Sequence, residues 1–250
     1  APINKGTTAT AEVGDVLYGG SDAADNSGTL KFVRVEYTGN AINSEKEHNG
    51  FSFNGVGSGT TLDYLQAYMG GDDGFEFFGG TVNASHLIST GSKDDSFDWT
   101  YGWVGTGSYW IANQASDEGD RGIEADNQSN GNTATPYSNP TLSYITLNGR
   151  GASAGTDGLK LREGTMASIT NLVIDGFKDA IEVEHLQTVT NAANGALTLN
   201  NVTVLNSTNN FIIKTAGNAA SDSTTAVTNI GSVIGTTASG STTSWTTGWS

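Results

Sequence analysis

The chain has 250 residues with no cysteine, three prolines and 34 glycines, about twice the usual glycine share. Disulfides, cysteine–zinc sites and thiol catalysis are excluded, no apolar run approaches the ~18 residues of a membrane span, and an apolar content of 36% allows a sizeable core. With 26 acidic against 11 basic side chains the net charge is −15, which argues against nucleic acid and anionic lipid and favours divalent cations or basic partners.

Taken in chain order, residues 1–27 read as an irregular lead-in, opening at Ala1 without a methionine, as in a processed product or a fragment. Residues 28–215 then alternate two repeated patterns. The first pattern begins "GTLKFVRVEY" at Gly28 and returns as "GTTLDYLQAY" (Gly59), "GTVNASHLIS" (Gly80) and "GTGSYWIANQ" (Gly105). Its later copies are "NPTLSYITLN" (Asn139), "GTMASITNLVI" (Gly164) and "GALTLNNVTVL" (Gly195). The second is anchored on an apolar residue: "NGFSFNG" at Phe51, "DGFEFFG" at Phe75, "DSFDWTY" at Phe97 and "RGIEADN" at Ile123. It continues through "DGLKLRE" at Leu159, "DAIEVEH" at Ile181 and "NNFIIKT" at Phe211. Each copy alternates apolar and polar residues, as a strand with one buried face does, and Gly, Asn, Asp and Ser separate the copies. Helix-period stripes are missing. The reading is an all-β, single-domain β-solenoid of seven or eight coils. A loop at 126–140 projects from it, and a C-terminal coil and tail fill 216–250. An antiparallel sandwich or jelly roll is the competing architecture, but hairpin folds need no in-step repeat.

The segments "GTLKFVRVEYTGNAI", "GVGSGTTLDYLQAYMGGDDGFEFFGGTVN" and "GDRGIEADN" resemble the right-handed parallel β-helix proteins of the pectate-lyase-like superfold. The similarity is greatest to exported bacterial members and covers roughly residues 20–215. It implies the β-helix fold, export to the cell surface or medium, and an N-terminus that lies within a longer precursor. It implies no particular activity.

Stacked coils bring the outward residues of the second pattern into columns. One column runs Ser52, Glu76, Asp98, Glu124, Lys160, Glu182 and Ile212, and the next includes Asp126, Arg162 and Glu184. A third row, in the preceding turn, carries Asp73, Asp95, Asp157 and Asp179. Ionised neighbours ~4.8 Å apart repel by roughly 3 kcal/mol at an effective dielectric of ~20. Three remedies are open: fanned solvated side chains, pairing with Lys93, Arg121, Lys160, Arg162 and Lys178, or bound calcium. The calcium candidates are Asp72, Asp73, Glu76, Asp94, Asp95, Asp98, Glu118, Asp120 and Glu124. No EF-hand or nonapeptide calcium motif is present.

The main functional expectation is a structural or adhesive solenoid with calcium at its acidic turns, self-associating end to end into a fibre. The alternative is a polysaccharide lyase, hydrolase or carbohydrate-binding module for an acidic or neutral glycan. Its chemistry would be carried by Asp98, Glu124, Asp126, Lys160, Arg162 and Glu182. Polygalacturonase and pectate-lyase motifs are absent. Tyr101, Trp103, Tyr109 and Trp110 are candidates for a carbohydrate or partner surface, with Trp99 in the core. The tail, without a helical cap, leaves Trp245 and Trp249 as candidates for assembly. His48, His86 and His185 carry no catalytic pattern.

Overall fold

A computed structural model describes residues 1–39, 41–43, 46–214, 228–235 and 237–248. After a hairpin of β1 (Thr8–Thr10) and β2 (Leu17–Gly19), long and short strands alternate. The long ones are β3 (Thr29–Glu36), β5 (Thr61–Tyr68), β7 (Asn83–Thr90), β9 (Thr106–Asn113), β11 (Thr141–Asn148), β13 (Ala167–Asp175) and β15 (Leu197–Leu205). The short ones are β4 (Phe51–Asn54), β6 (Phe75–Phe78), β8 (Phe97–Thr100), β10 (Ile123–Ala125), β12 (Asp157–Leu161), β14 (Asp179–Glu184) and β16 (Ile212–Lys214). The short strands form one seven-stranded parallel sheet, here sheet A, and the long strands form sheet B. The result is a parallel β-helix with seven coils among the described residues, and it is right-handed, the hand that β-crossover-β connections take.

In sheet A, period-2 alternation explains the burial. Phe51, Phe75 and Phe97 stack at 4.9 and 5.5 Å, and Ile123, Leu159 and Ile181 continue the file. The glycine before the anchor is a packing requirement: a Cβ on Gly74 would lie 2.6 Å from the Ser96 carbonyl, and one on Gly158 would lie 2.6 Å from that of Ala180.

Sheet B breaks the alternation. One residue at the same register in every coil is left-handed: Phe32, Tyr64, His86, Tyr109, Tyr144, Asn171 and Asn201, with φ between 51° and 60°. The chain bends there, and the inward set shifts phase to Leu62, Leu65 and Ala67 in β5 and to Leu142, Ile145 and Leu147 in β11. A left-handed non-glycine residue costs about 1–2 kcal/mol. Stacking of five rings at 4.2–5.2 Å (Phe32, Tyr64, His86, Tyr109, Tyr144) offsets about 0.5–1.5 kcal/mol per pair.

Four features differ from the sequence reading. The lead-in is not wholly irregular: it contains the β1–β2 hairpin, and residues 1–5 run along the stack, with the Ala1 amino group donating to Gly55 O and Asn4 N to Tyr101 O. A helix, α1 (Leu186–Asn194), sits between β14 and β15, burying Val189 and Ala192. The 126–140 loop is tied down through buried Asn127, which accepts from Asn4 Nδ2 and Ser138 N and donates to Ala134 O. The C-terminal end of sheet B is covered, not open: a helical turn at 228–231 buries Ile230, Ile234 bridges Val202, and Asn229 Nδ2 donates to Ala192 O. From there the tail crosses the outer face of sheet B. Ala238 N donates to Thr203 Oγ1 and Ser241 N to Thr146 Oγ1, and Trp245 meets the rings of His86 and Tyr64 edge-on.

Candidate functional site

The outer face of sheet A and the β1–β2 hairpin enclose a cleft of about 540 Å³. The floor is built by strand register: Glu76 pairs with Asp98 and Asp98 with Glu124 on β6, β8 and β10, so alternation turns all three outward in one file. Asp126 and Arg162 follow β10 and β12. Phe78, Tyr101 and Tyr18 form an apolar wall, Tyr18 meeting Phe78 edge-on at 6.4 Å, and Lys5, Glu12 and Lys46 close the rim.

The carboxylate file is treated differently from coil to coil. Towards the C-terminal end, lysines interleave: Lys160 Nζ lies 3.1 Å from Glu182 and 3.3 Å from Glu184, and Lys214 also pairs with Glu182. In the middle, two arginines clamp Glu124. Arg121 Nη1 is 2.8 Å from Oε1, Arg162 Nη2 donates to Oε2, and Arg162 Nε donates to Asp126 Oδ1 at 2.8 Å. At Asp98 there is no remedy. Neither of its oxygens has a hydrogen-bond or ion-pair partner among the described residues, and Oδ1 is shielded from solvent. Neighbouring Glu76 commits Oε2 to Asn49 Nδ2 at 2.6 Å and has no cation among the described residues.

These environments separate the acids. Burial, and then Glu76, Glu124 and Asp126, push Asp98 well above the usual carboxylate range, which favours its protonated form. Glu76 is raised by burial, Asp73 and Glu12. Burial also pushes Glu124 up to about 7, against the opposing pull of Arg162 and Arg121. Arg162 is raised by its bond to Asp126, against the opposing effect of burial, and stays charged. The outcome is an acid whose protonated form is favoured beside one whose anion two arginines stabilise against burial.

The turn row has its own structural work. Asp73 Oδ1 accepts Asp95 N and Asp95 Oδ1 accepts Arg121 N, so each buried aspartate holds an amide of the following coil. Carboxylate oxygens lie within 4.8 Å of one another in Asp72/Asp73/Asp94, in Asp94/Asp95/Asp120, in Asp73/Glu76/Asp98 and in Asp95/Asp98/Glu124. Burial together with Glu47 and Asp94 pushes Asp72 up to about 7. Any of these groups could hold a cation.

Of the residues singled out from sequence, Glu76, Asp98, Glu124, Asp126, Arg162 and Tyr101 meet in the cleft. Lys160 and Glu182 belong to the lysine-compensated cluster beyond it. Glu118 is exposed, pairs with Lys93 at 2.8 Å, and joins no carboxylate group among the described residues. Trp103 and Trp110 are 0% exposed, so they cannot form the expected surface. Their indoles donate to Val82 O and Ala84 O, and Gly107 leaves the space Trp110 fills. Tyr109 is on the sheet B ladder. Trp245 lies against that ladder instead of offering an open assembly surface, and Trp249 lies outside the described residues. His185, φ 72°, opens α1, accepting from Glu163 N. Lys5, Glu12, Tyr18 and Lys46 escape a reading of the sequence, because they lie outside the repeats and no pattern points to them.

A family model described as a pectate-lyase-like beta helix domain matches residues 1–250. No curated protein and no solved structure matches the chain.

Proposed function

The chain belongs to the pectate-lyase-like β-helix domain family, and on that premise we propose that the sheet A cleft binds carbohydrate and hydrolyses a glycosidic bond with Asp98 as acid and Glu124 as its partner. The observation that carries the reading is the contrast inside one file of carboxylates: Asp98 has no cation among the described residues and its protonated form is favoured, whereas Glu124 has two arginines. Asp98 protonates the leaving oxygen. Glu124, with an oxygen within 4.8 Å of one on Asp98, is at the short separation (~5–5.5 Å) of retaining pairs. It therefore attacks the anomeric carbon, and Asp98 then takes a proton from the water that releases the sugar. Tyr101 and Phe78 offer ring faces and edges for the sugar. Lyase chemistry is less well supported: Arg162 is locked to two carboxylates and stays charged, Lys46 lies 3.2 Å from Asp15, Lys5 donates to Tyr101 Oη, and Lys160 is not in the cleft.

The experiment is release of reducing ends from a panel of neutral, acidic and amino-sugar polysaccharides, with Asp98→Asn and Glu124→Gln as controls. Turnover by the wild type, lost in both variants, supports the reading. A product absorbing near 235 nm would instead indicate elimination, and no turnover on any glycan sinks the hydrolase.

A second reading is favoured by the turn row. We propose that calcium binds at Asp72, Asp73, Asp94, Asp95 and Asp120, where two groups of three carboxylates share Asp94. It would stabilise an exported solenoid in calcium-containing surroundings, and a structural or adhesive role would rest on it. Thermal unfolding in calcium against EDTA tests it, and equal midpoints would remove it. No helix among the described residues is long and apolar enough to cross a membrane.

A further inference from the structure

We propose that the glycan received by this cleft is cationic: an amino sugar with a free ammonium group, which Glu76 and Glu12 accept beside Asp98. The inference rests on the reading of the cleft as a carbohydrate site and adds the charge of its ligand.

Five carboxylates and three basic side chains line the cleft. The bases are already engaged. Arg162 is held by Glu124 and Asp126, Lys46 Nζ lies 3.2 Å from Asp15, and Lys5 Nζ donates to Tyr101 Oη at 2.9 Å while sitting 4.3 Å over that ring. The surplus is local. Glu12, Glu76 and Asp98 have no cationic partner among the described residues. Glu76 is 9% exposed, and its Oε1 has no hydrogen-bond partner among the described residues although the side chain lines the cavity. Two further groups lining the cavity are shielded and have no hydrogen-bond partner among the described residues, Asp98 Oδ1 on the floor and Tyr18 Oη in the wall. Buried polar groups without partners inside a cavity point to a polar ligand.

Size and shape select among cations. The cavity of about 540 Å³ falls within the ~300–1,000 Å³ of small-molecule sites. A bare ion at the carboxylates would leave the wall of Phe78, Tyr18 and Tyr101 uncovered, whereas a sugar ring covers it and carries its ammonium to the floor. A uronate would bring a carboxylate to three acids that have no cationic partner among the described residues. A neutral N-acetyl sugar would leave them as they are. Burial, with Asp73 and Glu12 beside Glu76 and with Glu76 and Glu124 beside Asp98, raises both acids well above the usual carboxylate range, so an ammonium that pairs with Glu76 favours loss of its proton to the buffer.

The test is titration calorimetry of the full chain in EDTA at mildly acidic pH, with the tetrasaccharides of glucosamine, N-acetylglucosamine and galacturonate. The glucosamine oligomer should bind about tenfold or more tightly than its acetylated form, with a heat that varies with the buffer's ionisation enthalpy. Glu76→Gln and Glu12→Gln should each erase most of that preference. Glu76→Gln should also raise the melting temperature, which separates loss of a ligand contact from loss of fold. Equal binding of the acetylated and free-amine oligomers would overturn the inference and leave the carbohydrate reading standing. So would galacturonate binding that appears only with added calcium, which would mark the cleft as a metal site. A preference that persists in both glutamine variants would also overturn it. Binding of no oligomer would remove both readings.

Discussion

Asp98→Asn should stabilise this protein at neutral pH and do almost nothing in acid. In the fold burial and the neighbouring acids raise Asp98 well above its ordinary value of 3.8, so it keeps a proton at pH values where the unfolded chain has released it. The sign follows directly: the native state binds more protons than the unfolded state between that value and the raised one, so stability falls as pH rises through that window. At about pH 7 the penalty is capped by the cost of keeping an aspartate protonated, about 1.4 kcal/mol for each of roughly three pH units, or about 4 kcal/mol. The cap matters because unrelieved repulsion from Glu76 and Glu124 would be larger, roughly 3 kcal/mol for each ionised neighbour. Asparagine removes the charge without changing the shape. For a chain of this size 1 kcal/mol is worth about 2–4 °C, so the midpoint should rise by up to about 8–16 °C near pH 7 and by little near pH 4. Differential scanning calorimetry in EDTA across that range reads the difference. A loss of stability, or a gain that is the same at both pH values, would refute the assignment of a strained, protonated acid at this point of the file.

Arg162→Ala should act in the opposite sense. It leaves Glu124 and Asp126 buried without their shared cation, and unfolding by denaturant near neutral pH should report a loss of about 3 kcal/mol that shrinks in acid. Gly74→Ala places a methyl 2.4 Å from Ser89 Oγ and 2.6 Å from the Ser96 carbonyl, so it should cost about 3 kcal/mol or prevent folding, as circular dichroism melting would show. Trp245→Ala removes the edge contact on His86 and Tyr64. It should change the near-ultraviolet dichroism and increase amide exchange in residues 237–248, with a stability loss of about 1 kcal/mol.

The solenoid is legible in the sequence because its signal is repeated. Aligning the anchors Phe51, Phe75, Phe97, Ile123, Leu159 and Ile181 by sequence yields the same columns that the strands adopt, down to Glu182 opposite Ile212. The acidic file follows from that register and from alternation alone. What is not legible lies where alternation or repetition fails. The left-handed residue in each sheet B strand shifts the inward phase. Trp110 is therefore inside although its neighbour Tyr109 is exposed, and a strict period of two cannot place the residues beyond the bend. Helix α1 is written in "LQTVTNAAN", poor in strong helix formers, and it forms because Val189 and Ala192 find the core. Part of the cleft comes from the lead-in, whose Glu12 and Tyr18 reach Glu76 and Phe78 only through the path of residues 1–5 along the coils. Lysine and arginine pairing is foreseeable from the columns, but which coil uses which depends on side-chain reach, as with Arg121 and Arg162 converging on one glutamate.

A crystal structure of Asp98→Asn soaked with an oligosaccharide from the glycan panel tests the cleft most directly. Sugar density is expected beneath the β1–β2 hairpin, with a glycosidic oxygen beside the amide introduced at position 98 and the anomeric carbon facing Glu124. Density along the sheet B ladder alone, or a metal ion on the carboxylate file with no sugar above it, would contradict the assignment of this cleft as the place where a glycosidic bond is cut.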